Sequence, residues 1–131
     1  MGFTEKIIEH LPGHPSAARM ARTHVGSLCA GLRIKSREDA ILLTSEIVTN
    51  AIQHANGPIR LTVIRLEDGL RVEVHDTTGG TPAVAHRGMM AENGRGLALL
   101  AALASDWGSS LSRPVGTGKT VWFEIHDPGI P

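Results

Sequence analysis

The sequence has no tyrosine, two phenylalanines, two tryptophans and a single cysteine among its 131 residues. At 3% aromatic content there is little ring surface on which single-stranded bases could stack, so Trp107 and Trp122 read as core. There is no excess of charge of either sign: Lys plus Arg and Asp plus Glu both number 13. That argues against a mainly electrostatic nucleic-acid binder, which needs a basic surplus or stripe. The lone Cys29 excludes an internal disulfide framework and a Cys-based zinc site, and its apolar setting reads as core. No apolar run approaches the roughly 20 residues that span a bilayer. Glu5, Lys6 and Glu9 make the first residues unlike a signal peptide. A soluble cytoplasmic domain is expected, with no membrane contact and no direct nucleic-acid contact. Seven histidines are present, but Pro12-Gly13 separates His10 from His14 and no His-Glu-x-x-His occurs, so no transition-metal site is expected.

What is present is the material of one globular domain: 41% apolar and 20% charged residues in a length typical of a single core. Phe3 to Leu11 alternates weakly and stops at Pro12-Gly13, as an edge strand would. Ala18, Ala21, Val25, Leu28, Cys29 and Leu32 recur at helical spacing, which predicts a helix over Ser16–Leu32. Arg19 and Arg22 fall off that stripe and offer a partner surface. Ser36 is the expected N-cap of a second helix, running to Ala55 before Asn56-Gly57-Pro58. Strands are predicted over Ile59–Leu66 and Leu70–His75, joined by a tight turn at Glu67-Asp68-Gly69. Thr77 to Asn93 is a Gly-, Thr- and Pro-rich loop, long enough that a compact domain would keep it for function. Gly96 to Trp107 reads as a buried helix and Thr120 to Ile125 as a last strand. The order predicts an α/β sandwich, a mixed sheet with helices on one face.

The second helix carries the most informative polar stripe. Ile41, Val48, Ala51, Ile52 and Ala55 share an apolar face, while Glu46, Asn50 and His54 line up on another at i, i+4 and i+8. A solvated face is one reading of that stripe. Asn is a poor helix former in mid-helix, however, and an amide oxygen beside a carboxylate suits a hydrated Mg²⁺. His54 lies either next to such a site or at the surface.

Ser45-Glu46-Ile47-Val48-Thr49-Asn50-Ala51-Ile52-Gln53-His54 resembles the N-box of the GHKL (histidine-kinase-like) ATPase superfamily, in the form seen in small stand-alone anti-sigma-factor serine kinases of bacteria. Three more segments resemble that superfamily in the same order. Val72-Glu73-Val74-His75-Asp76 looks like the strand ending in the adenine-reading aspartate. Asn93-Gly94-Arg95-Gly96-Leu97 looks like the second glycine box. Gly118-Lys119-Thr120-Val121-Trp122 looks like the last ATP-contacting strand. The resemblance spans about residues 15–126. It implies a Bergerat-type ATP-binding fold without the dimerisation helices of a sensor histidine kinase.

The physical reasons for these motifs differ. A carboxylate accepts hydrogen bonds only, so Asp76 can pair with the exocyclic amine of adenine. Gly94 and Gly96 let the backbone approach phosphates at a helix N-terminus, with Arg95 adding charge and Leu97 closing the box. Gly80 keeps the second glycine of the loop motif after Asp76, while Thr78 stands where the first glycine is expected. The loop before Gly94-Arg95-Gly96, which holds Gly79, Gly80 and Gly88, would be the ATP lid. Gly116-Thr117-Gly118-Lys119-Thr120 imitates a Walker A loop, but Arg113 occupies its first glycine position and a strand follows instead of a helix. Under the resemblance Thr120 lies near the adenine, and Lys119 has no assigned role.

The resemblance implies ATP and Mg²⁺ as ligands, with Asn50 holding the ion and Glu46 accepting the proton of a substrate hydroxyl. It implies a sigma factor and an anti-anti-sigma antagonist as partners of a homodimer, the antagonist being phosphorylated on Ser or Thr. Two alternatives stay open at this point: an ATP-dependent binding module without phosphotransfer, and an interaction domain that binds no nucleotide.

Overall fold

The computed structural model describes residues 3–54, 57–76, 94–111 and 118–127. The elements follow as β1 (Phe3–Leu11), α1 (Ser16–Ser27), α2 (Ile34–His54), β2 (Ile59–Leu66), β3 (Gly69–Asp76), α3 (Gly94–Leu103), β4 (Asp106–Leu111) and β5 (Lys119–His126). Five strands form one sheet in the order β1-β2-β3-β5-β4. All four pairings are antiparallel, so the mixed sheet expected from the α/β pattern is corrected. β4, of which only Asp106 and Trp107 were expected to belong to a helix, pairs antiparallel with β5.

β1 is an edge strand, as its weak alternation suggested. β2 and β3 form the expected hairpin, with Leu66 paired to Gly69. A Cβ on Gly69 would strike the carbonyl of Ile125, so the tight approach of this turn to β5 requires glycine. The helices pack as one layer: α1 lies on α2, and α2 also contacts β3, β5 and α3. Ala21 and Val25 of α1, Leu43, Ile47 and Val48 of α2, and Leu61, Val72 and Phe123 of the sheet meet between the layers. Cys29 is buried there as expected; its thiol donates to the Val25 carbonyl at 3.2 Å, and burial pushes its pKa up.

Helix boundaries differ from the sequence reading, and α3 starts at Gly94 rather than Gly96. α1 stops at Ser27, and Leu28, Cys29 and Leu32 enter the core from the following turn. α2 begins at Ile34, so Ser36 lies inside the helix and is not its N-cap. Its N-terminus is held from the far end of the chain, where Arg33 N–H donates to Asp127 Oδ2 at 2.7 Å. α3 ends at Leu103, and of its described side chains Leu100 is buried while Ala98, Ala101 and Ala102 are exposed. Trp107 therefore sits on β4, packed at the edge of the core.

Trp122 is not core. It lies on the sheet face turned away from the helices, with the Arg71 guanidinium 4.0 Å from its ring centroid. Arg71 also donates to Glu73 and Glu124, each at 2.7 Å. Burial raises the Glu124 carboxyl, but hydrogen bonds from His126 and Arg71 outweigh it and leave the pKa below its ordinary value. The bulky indole is accommodated because Gly108 faces it from β4, with ring atoms 3.0 Å from where a Cβ would stand.

Candidate functional site

The polar stripe of α2 is buried. Glu46 is 6% and Asn50 is 4% exposed, which excludes the solvated-face reading for these two residues. Their exclusion from water follows from the position of α2, which is covered by α1 and α3 on its flanks and by the sheet beneath. Polar groups so placed are costly unless satisfied, and neither of them, nor the half-buried His54, is without a partner. Glu46 and Asn50 are one helical turn apart, about 6 Å along the axis. Arg22, offered by the sequence as exposed partner surface, is partly buried and donates to Ser45 Oγ at 3.1 Å, tying α1 to α2 beside Glu46. Arg19 remains exposed.

Chain connectivity places the His54 end of this stripe at one end of the sheet. His54 ends α2, Ile59 opens β2, and Ile59 pairs with Asp76 at the end of β3. Asp76 pairs in turn with Lys119, the first residue of β5. Strand alternation turns Val72, Val74 and Asp76 toward the helices, and Lys119, Val121 and Phe123 toward the same side. Asp76 and Lys119 are 2% and 4% exposed, and Lys119 Nζ lies 2.9 Å from Asp76 Oδ2.

Sequence reasoning gave Lys119 no role. The signal was available, however: a strand that begins one residue earlier than Thr120 puts Lys119 in register with Asp76. The same alternation corrects the placement of Thr120, whose side chain lies on the opposite face and hydrogen-bonds His75 Nδ1 at 2.9 Å. Burial and the nearby Arg60 lower the His75 pKa, against the opposing pull of Asp76. Gly118, directly before Lys119, has φ 132°, a backbone that side chains rarely adopt. This glycine lets the chain turn into β5 with Lys119 aimed inward.

α3 opens at Gly94 and hands over to β4 where Ser105 N–H bonds the Glu124 carbonyl at 2.8 Å, remote from Lys119. The unpaired N–H groups and dipole of a helix start favour an anion there. The side chains of Arg95 and Leu97 lie outside the description, as do Gly80, Thr78 and the expected lid.

The C-terminal end of α2 and the buried Asp76–Lys119 pair thus lie at the same end of the sheet, with Asn50 and Glu46 one and two turns back along α2 from His54. Such an arrangement can accept hydrogen bonds from a base and donate to it. No helix among the described residues is long and apolar enough to cross a membrane. No curated protein matches the chain. The family model of the histidine kinase-like ATPase domain matches residues 8–125, from β1 to β5. The chain therefore belongs to the histidine kinase-like ATPase family, a membership that implies ATP binding and a regulatory role.

Proposed function

We propose that the protein is an ATP- and Mg²⁺-dependent serine/threonine kinase of the anti-sigma-factor type. In this reading a homodimer binds a sigma factor and transfers phosphate to an antagonist protein. The observation that supports it is the burial of Glu46 and Asn50 on one stripe of α2, the helix whose C-terminal end leads to the Asp76 end of the sheet.

Asp76 accepts a hydrogen bond from the adenine amine, and the α3 N-terminus receives the phosphates. The oxygen donors of Asn50 and Glu46 suit a hard cation that keeps most of its waters. Asn50 would hold Mg²⁺ through its amide oxygen, and the ion would supply charge neutralisation for the phosphates. Transfer needs positioning and electrostatics more than covalent chemistry. The substrate hydroxyl oxygen bonds to the γ-phosphorus, and the bond from that phosphorus to its bridging oxygen breaks. ADP leaves with the electron pair, and the hydroxyl proton passes to the Glu46 carboxylate. A positioned base of this kind is worth about 10²–10⁴ in rate.

The test is single-turnover transfer from radiolabelled ATP to candidate antagonist proteins, with Glu46→Gln beside the native protein. Glu46→Gln should slow transfer by about 10²–10⁴ while ATP affinity changes little. An unchanged rate removes Glu46 as the base. ATP binding with no transfer by the native protein makes this an ATP-dependent binding module.

A further inference from the structure

The Lys119 ammonium is a second charge in a place where one would serve. Buried ion pairs are weak sources of stability, and an apolar pair of similar volume is often as good or better. Packing therefore does not account for an ammonium 4% exposed and 2.9 Å from Asp76. An ammonium carries three donors, and its contact with Asp76 Oδ2 uses one. The pair thus presents an acceptor immediately beside a donor. That is the pattern complementary to the leading edge of adenine, where the 6-amino donor adjoins the N1 acceptor.

We propose that Lys119 is a second base-reading residue, its ammonium donating to adenine N1 while Asp76 accepts from the 6-amino group. The proposal rests on ATP being the ligand of this site. N1 lies on the ring edge farthest from the ribose, which reaches a buried pair first. N7 lies on the ribose side of the ring. Guanine in the same pose sets its N1–H against the ammonium and its O6 against the carboxylate, so both contacts become repulsive. Lys119 in this way sharpens the discrimination that Asp76 begins.

The experiment is a calorimetric titration of the native protein with ATP, 1-deaza-ATP and 7-deaza-ATP, repeated on Lys119→Met and Lys119→Gln. Loss of a charge-assisted hydrogen bond should weaken 1-deaza-ATP by about tenfold against ATP in the native protein. 7-Deaza-ATP should bind like ATP. In Lys119→Met the tenfold difference should vanish. Lys119→Gln keeps a neutral donor toward Asp76 and guards against a variant that does not fold; its ratio should fall to about threefold. Equal native affinity for ATP and 1-deaza-ATP overturns the proposal, as does a ratio unchanged in the Lys119 variants. A loss confined to 7-deaza-ATP overturns it in favour of the other ring edge. If the native protein binds none of the three nucleotides, the ATP reading of the site falls with it.

Discussion

Asp127→Ala should unfold the protein more easily than any capping substitution suggested by sequence. The Asp127 side chain is fully buried and accepts the Arg33 N–H at 2.7 Å, at the start of the 21-residue helix that carries Glu46 and Asn50. A hydrogen bond to a charged acceptor contributes about 1.5–3 kcal/mol. A carboxylate at a helix N-terminus adds about 0.3–1 kcal/mol through the dipole. The accompanying contact from Arg33 Nε, 3.6 Å away on a side chain 54% exposed, adds little because water screens it. Arg33 is itself exposed, so water can reach the N–H once the carboxylate is gone, which limits the penalty. The expected loss is about 2 kcal/mol, a large share of the 5–15 kcal/mol typical of domains. Asp127→Asn keeps an acceptor and should lose about half as much. Ser36→Ala, inside the helix, should cost under about 0.5 kcal/mol. Urea denaturation of the three variants, with an unchanged m-value, measures this. A Ser36→Ala cost near that of a true cap, with Asp127→Ala silent, would refute tertiary capping of α2.

Asp76→Asn should weaken ATP by at least about tenfold and erode selectivity over GTP, because an amide N–H would face the adenine amine and Lys119 would lose its counter-charge; equal affinity of the native protein for ATP and GTP contradicts this. Asn50→Ala should abolish the Mg²⁺ dependence of nucleotide binding, since a methyl group cannot ligate a hard cation; calorimetry with and without Mg²⁺ that still shows the native response makes Asn50 structural. His75, with its pKa lowered by burial and Arg60, favours the neutral ring in the folded state. Its stabilisation is full above about pH 6.5 and is lost as pH falls through the lower native value. Denaturation of His75→Gln across this range should show a flatter slope than the native protein, and identical slopes would exclude His75 as the source.

The sequence was legible where a pattern is local. β2 is found over its predicted residues, and the Glu67-Asp68-Gly69 signal does make a hairpin, because alternation and turn chemistry need no distant partner. It failed where tertiary context decides. Nothing near Ser36 reveals that Asp127 binds the start of α2. Alanine-rich α3 looked longer and more deeply buried than it is, since helical periodicity cannot show that Asp106–Leu111 pairs with β5. Glu46 and Asn50 were picked out by spacing, whereas their burial depends on the cover given by α1 and α3. Lys119 was missed because the strand was started one residue late, at Thr120, which left Lys119 outside the element whose alternation assigns its face. Gly80 and Thr78, which bear on the loop after Asp76, lie outside the described residues.

The most direct measurement is the melting of the native protein with and without saturating Mg-ATP. A ligand that binds the folded state alone stabilises it by about 2.7 kcal/mol at 100 times its dissociation constant. The expected result is a rise in Tm of several degrees with Mg-ATP, smaller with GTP and lost in Asp76→Asn. A Tm unmoved by ATP at any concentration would contradict an ATP site at the Asp76 end of the sheet.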